Sequence, residues 1–194
     1  MPDIIFRIAT VVCTSMLLLR GVAKGSIHKN SICIMAAVLA LMAGAILFKS
    51  SVMIVWAVLV VQSYTDITEQ HVFTVLTYAM IGMEIGYILI GRIYPDISPH
   101  TLIFPFLLIK IISLCAYADG DKDLFLLVML DAYSHRVSPD VYIVYFMLIA
   151  CVMFVLYMTV DNVIRKLKRM DAVRKGAFVP AMAAAYFILA LLKF

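Results

Sequence analysis

The chain has 194 residues, of which 65% are hydrophobic and 14% are charged. Soluble domains carry about 25% charged and about 45–50% apolar residues, so this composition excludes an ordinary soluble domain. The formal net charge of +4 does not indicate nucleic acid, because six of the 16 basic residues lie in one stretch, 165–175, between two apolar runs. Such a stretch is typical of a cytoplasmic loop in a membrane protein.

Apolar runs recur along the whole chain, and polar residues or prolines separate them. A transmembrane helix needs roughly 20 mostly apolar residues, so the sequence predicts an all-α polytopic membrane protein with about eight transmembrane helices. The predicted segments are 3–19, 31–48, 52–64, 72–90, 101–117, 122–136, 141–160 and 177–193. The very short connection at 49–51 predicts that the second and third segments form an antiparallel pair.

The distribution of basic residues predicts which loops share a side of the membrane. If the basic loop 161–175 is cytoplasmic, alternation of the segments brings loops 20–30, 65–71 and 118–122 to the same side. That side then holds ten Lys and Arg residues against five on the other, in agreement with the positive-inside rule. Two acidic stretches are therefore predicted on the cytoplasmic side, and both chain termini on the opposite side.

The cysteines and histidines predict neither a metal site nor a cofactor. The four cysteines (13, 33, 115 and 151) each lie within or at the end of an apolar run, and none forms Cys-x-x-Cys, so zinc is not predicted. The four histidines are scattered over loops on both sides of the membrane. The N-terminus lacks the basic region and cleavage site of a signal peptide, which predicts a first transmembrane helix at 3–19.

Carboxylates at two segment boundaries are the strongest candidates for chemistry. Asp119, Asp121 and Asp123 surround Gly120 at a break between apolar runs, and Asp66 follows the third segment. Two aspartates at short range share one proton. The charged member then takes a proton from an attacking water, while the protonated member polarises an amide carbonyl and protonates the leaving amine. Asp66 and Asp121 are therefore predicted to form a catalytic pair, and the glycine lets substrate backbone approach closely.

Other interpretations of these aspartates remain open from spacing alone. Asp119 or Asp121 would serve equally well as the N-cap of the sixth segment, and Asp66 as an ordinary loop residue. A calcium loop is excluded, because its sixth and twelfth positions would be Leu124 and Leu130, where Gly and a bidentate Glu are needed.

Three stretches resemble motifs of one enzyme family. Ala118-Asp-Gly-Asp121 resembles the Gly-x-Gly-Asp motif of intramembrane aspartyl proteases, and most closely that of type IV prepilin and preflagellin peptidases. The stretch 63–73 is similar to the motif around the family's first aspartate, with Val-Phe in place of its Ile-Pro. The stretch 175–182 resembles the entry to the family's last helix. The three matches cover about residues 50–194.

The resemblance implies an activity and a domain organisation. It implies two N-terminal transmembrane helices in residues 1–49 and a six-helix catalytic core in residues 50–194, with Asp66 and Asp121 as the catalytic residues. The implied substrate is a pilin-like or flagellin-like precursor with a basic leader and an apolar helix, cleaved at the cytoplasmic face of a prokaryotic plasma membrane. Loop 20–30 is too short for the family's methyltransferase insert, so N-methylation is not expected.

A competing function uses three charges inside the segments. Glu84, Lys110 and Asp131 lie at membrane depth, where ionisable groups are costly and usually face the bundle interior. Lys110 and Asp131 lie at similar depths and are candidates for a structural ion pair. A small transporter built on these three residues is the alternative to the protease, and a scaffold without chemistry is a third interpretation.

Two pairs of small residues suggest close helix packing. Gly82 and Gly86 in the fourth segment, and Ala181 and Ala185 in the eighth, have the spacing that lets membrane helices approach each other. We therefore expect both pairs to face a neighbouring helix.

Overall fold

The computed structural model describes residues 2–25, 29–69, 72–91, 119–135, 139–168 and 177–192. Within these ranges the chain is entirely helical, as predicted, with seven α-helices and no strand. The helices are α1 (Pro2–Ala23), α2 (Ser31–Leu47), α3 (Ser50–Glu69), α4 (Thr74–Gly91), α5 (Asp119–His135), α6 (Pro139–Leu167) and α7 (Val179–Leu191). The predicted segment 101–117 lies outside the described residues, so the number of crossings stays a prediction.

Within the described ranges, three helices are long and apolar enough to cross a membrane: Asp3–Ala23 in α1, Val52–Glu69 in α3 and Pro139–Leu167 in α6. In α3, 72% of that span is buried, against 6% in α1 and 17% in α6. The outer helices expose large apolar side chains such as Leu17 and Val155. Burying such side chains in an apolar medium is worth roughly 1.5–3 kcal/mol each, so these faces suit hydrocarbon and not water.

Helix α3 is the centre of the bundle. It packs against α1, α2, α4, α5 and α7. A large buried core follows its length, from Met53 through Leu59 to Tyr64. Every described helix except α6 therefore takes its position from this one helix.

The connection between α2 and α3 confirms the predicted antiparallel pair. The two helices are in contact and are separated by Phe48 and Lys49. A Cβ at Gly44 would overlap the ring of Trp56, and the Trp56 Nε1–H donates to the Ala40 carbonyl at 3.0 Å. The absence of a side chain at Gly44 thus allows the close approach.

Several predicted boundaries were wrong by a few residues. Helix α3 continues to Glu69, so Asp66 lies inside its last turn and not in a loop. Helix α5 begins at Asp119, so the predicted break before the sixth segment is its first turn. Helix α6 continues to Leu167, partly because Arg165 pairs with Asp161 one turn earlier at 2.9 Å. Apolar runs end at the membrane surface, but backbone hydrogen bonding continues beyond it.

The start of α1 lies at the opposite end of α3 from Asp66. The Arg7 guanidinium donates to the carbonyls of Ala45 and Phe48 at 3.0 and 3.1 Å. Asp3 accepts hydrogen bonds from Ser50 at the first residue of α3. The N-terminus is thus at the end predicted from the loop charges.

The two small-residue pairs differ in outcome. Ala181 and Ala185 are buried in α7, which confirms their packing role. No atom of the described residues lies within 4 Å of a Cβ built at Gly82 or Gly86. The expected partner of that pair is therefore not among the described helices.

Candidate active site

Asp66 is buried against the start of the last helix. It lies in the last turn of α3 with 8% of its surface exposed. The backbone N–H of Val179 donates to its Oδ2 at 3.0 Å, and the N–H of Phe178 also interacts with it. The first N–H groups of a helix have no partner within the helix, and the helix dipole favours a negative charge there.

The sequence around Val179 explains why an outside acceptor is used. The N-cap position of α7 is Phe178, whose side chain makes no capping hydrogen bond. Pro180 follows near the helix start, where its missing N–H is tolerated. The helix thus lacks a local cap of the Ser, Thr, Asp or Asn type, and Asp66 supplies the acceptor from another helix.

Asp121 is the third residue of α5 and has 7% of its surface exposed. Helix α5 runs antiparallel to α6. Near the connection between them, the Tyr133 hydroxyl donates to Asp140 Oδ1 at 2.9 Å. Further along, the rings of Phe125 and Phe146 stack with centroids 6.1 Å apart. At 1.5 Å per residue, Asp121 lies about 6 Å beyond that aromatic pair, away from the connection.

The packing of α7 on α6 allows the height of Asp66 along the bundle to be compared with that of Asp121. The ring of Phe178, just before α7, meets the ring of Phe154 in α6 edge-on at 5.2 Å. Phe154 lies about 12 Å along α6 from Phe146. Phe178 and the adjacent Asp66 carboxylate are thus within about 6 Å of Asp121 in height along the bundle.

A buried hydrogen bond supports this register. The Tyr186 hydroxyl of α7 donates to Asp131 Oδ2 of α5 at 2.8 Å, and both residues are fully buried. The bond lies about 15 Å along α5 from Asp121 and about 12 Å along α7 from Phe178. Since α3 packs against both helices, the structure brings Asp66 and Asp121 to one end of three associated helices.

The two acidic residues beside Asp121 also belong to the first turn of α5. Asp119 is the first residue of α5. Asp123 lies in the same turn and is partly exposed. Negative charges in a first turn stabilise a helix through its dipole, so a structural role is sufficient for both residues.

Sequence reasoning missed a tyrosine near Asp66. Tyr157 of α6 is close enough to interact electrostatically with Asp66 and with Cys33 of α2. It lies in a long apolar run, where no sequence signal distinguishes it from lipid-facing neighbours. The sequence does contain a signal at the start of α7. A proline without a preceding cap residue indicates that the first N–H groups of the helix donate to an acceptor from another part of the chain.

The intramembrane acids are inside the bundle, as expected. Glu84 has 6% of its surface exposed, and Asp131 is fully buried. Lys110 lies outside the described residues, and so does its predicted ion pair with Asp131. Across the ranges that the structure describes, no group of three or more His, Cys, Asp or Glu side chains is arranged to hold a metal ion.

No family model, curated protein or solved structure matches this chain. The family resemblance therefore depends on the three sequence motifs. The chemistry depends on the site itself, where two largely buried carboxylates lie at one end of a membrane bundle. Buried carboxylates are candidates for general acid–base catalysis.

Proposed function

We propose that this protein is a membrane aspartyl endopeptidase with Asp66 and Asp121 as its catalytic residues. Its proposed substrate is a pilin-like or flagellin-like precursor, cleaved between a basic leader and an apolar helix at the cytoplasmic face of a prokaryotic plasma membrane. No N-methyltransferase activity is expected. The observation that carries the proposal is the burial of both carboxylates at one end of the associated helices α3, α5 and α7.

The proposed reaction proceeds in two stages, addition of water and collapse of the intermediate. The ionised aspartate takes a proton from water as the water oxygen bonds to the carbonyl carbon of the cleaved amide. The protonated aspartate donates to the carbonyl oxygen. On collapse of the gem-diol intermediate, one hydroxyl returns its proton to the aspartate that is now ionised as C=O re-forms. The C–N bond breaks, and the aspartate that took the water proton gives it to the leaving nitrogen. The hydrogen bond from Val179 N–H orients the Asp66 carboxylate.

The proposed architecture has two parts. Residues 1–49 provide two N-terminal transmembrane helices, which correspond to α1 and α2. Residues 50–194 form a six-helix catalytic core, with residues 101–117 as one of its crossings. Contacts of α3 with α1 and α2 show that the N-terminal helices pack directly on the helix that carries Asp66.

Conservative replacement of each aspartate tests the proposal. Asp66→Asn and Asp121→Asn preserve side-chain size but cannot exchange the proton, so cleavage of a co-expressed pilin-like precursor should fall by roughly 10²–10⁴-fold in each. The measurement is the ratio of mature to precursor protein on a gel. Asp123→Asn, two residues from Asp121 on the same helix, is the matched control and should cleave normally.

Retained cleavage in both asparagine variants would overturn the assignment. Thermal unfolding in detergent micelles should show that both variants are folded, so that loss of cleavage reports on chemistry.

A further inference from the structure

A cavity of about 200 Å³ lies between α2, α3 and α7. Small or apolar side chains from all three helices form its wall, among them Ala36, Ala40, Val60, Ser63, Ile67 and Ala183. Ala36 is exposed, so the cavity is open on the α2 side.

The cavity is confined to the part of these helices nearest Asp66. Further from Asp66, the same three helices are held together by the rings of Phe48, Trp56, Tyr186 and Phe187, with centroids 5.3–6.4 Å apart. Trp56 also lines the cavity and forms its floor. The cavity thus forms where the side chains between α2, α3 and α7 change from aromatic to small.

One end of the cavity lies next to Asp66 in the sequence of α3 and next to Val179 in α7. Ser63 and Ile67 flank Asp66 on α3, and Pro180 of the wall follows the Val179 whose N–H binds Asp66. The distance along α3 from Trp56 to Ile67 is about 16 Å, or three helical turns. An apolar helix that enters the bilayer from a bond held at Asp66 would pass along this wall.

The size and lining select the kind of occupant. Sites for free small molecules usually measure about 300–1,000 Å³, so this cavity is too small for one and better suited to a few side chains. Its small wall residues let another helix lie close to α2 and α7. The wall is predominantly apolar, which favours large apolar side chains.

We propose that the cavity receives large apolar side chains from the first turns of the substrate's membrane helix, immediately after the cleaved bond. The inference rests on the proposed function and adds to it a docking site for the substrate. The wall residues then limit the size of the substrate side chains that can follow the cleaved bond.

Photo-crosslinking tests the site without requiring cleavage. A diazirine amino acid at Ala36 is placed in the Asp121→Asn protein, in proteoliposomes that contain a pilin-like precursor with a basic leader and an apolar helix. The same probe at Ala79, an exposed alanine on α4, is the matched control. We expect the precursor to be crosslinked from Ala36 and not from Ala79. Crosslinks from Ala36 to lipid alone would overturn the inference.

Filling the cavity tests its role in turnover. Ala36→Trp should lower kcat/KM for the precursor roughly tenfold or more, mainly through KM, because a hydrophobic pocket discriminates by bulk. Ala79→Trp should leave it unchanged. An Ala36→Trp protein with unchanged kinetics would contradict the inference.

The two proposals fail in different ways. Wild-type cleavage without precursor crosslinking at Ala36 would refute the docking site alone. A precursor crosslink at Ala36 in a protein whose wild type does not cleave would support the docking site and refute the peptidase.

Discussion

One contact of Asp66 bears on both an observed capping role and a proposed catalytic role. Its carboxylate caps α7 through the Val179 N–H, and in the proposed mechanism it takes part in catalysis. A capping role by itself explains the burial of Asp66. The two roles are separable because a neutral amide oxygen also accepts a hydrogen bond.

Two substitutions of Asp66 separate capping from catalysis. Asp66→Asn retains an acceptor for the Val179 N–H and should unfold near the wild-type temperature, although inactive. Asp66→Leu removes the acceptor and should lose roughly 0.5–2 kcal/mol of stability, as when an N-cap side chain is deleted. Thermal unfolding in detergent micelles measures both. Equal stability of the two variants would show that the N–H contact does not hold α7.

The acidic residues were the predictable part of this site. In a chain with 14% charged residues, a carboxylate at the end of an apolar run is conspicuous, so Asp66 and Asp121 could be selected from sequence. The relative height of Asp66 and Asp121 along the bundle could not be predicted, because it depends on the aromatic contacts of α6 with α5 and α7. Any aromatic residue in those runs would look equivalent in the sequence.

Helix boundaries depend on local hydrogen bonds that hydropathy does not report. The turn between α3 and α4 is held by buried Gln62, whose amide donates to the Phe73 carbonyl and accepts from the Phe73 N–H, both at 2.8 Å. A polar residue in an apolar run thus organises the connection that follows it.

The α2–α3 pair depends on one glycine. Gly44→Ala should destabilise the protein by about 1–3 kcal/mol, because a Cβ there overlaps the Trp56 ring and forces the helices apart. Gly82→Ala is the matched control, since no described atom lies near its Cβ. The control should be neutral or gain at most about 1 kcal/mol from helix propensity.

Thermal unfolding of both glycine variants measures the difference. Because Trp56 also forms the floor of the cavity, Gly44→Ala should in addition weaken crosslinking of the precursor from Ala36. Equal effects of the two substitutions would mean that α2 and α3 adjust to the added methyl group.

The whole bundle presents apolar faces on its outer helices α1 and α6. The proposed eight crossings would bring both termini to the non-cytoplasmic side and the basic stretch 161–175 to the cytoplasm. Alkaline phosphatase, which is active only outside the cytoplasm, should be active when fused after residue 194 and inactive when inserted in that stretch. Activity from the basic stretch would reverse the proposed orientation and remove Asp66 and Asp121 from the cytoplasmic face.

Membrane class, helical architecture and the candidate acids follow from the sequence, because hydropathy and charge are properties of short stretches of chain. The folded bundle decides what those acids can do. The acceptor for α7 comes from a residue 113 positions away, and the cavity beside it is formed by three helices that are separate in sequence. Such relations depend on which side chains meet across helix interfaces, and a local pattern of apolar residues does not specify that.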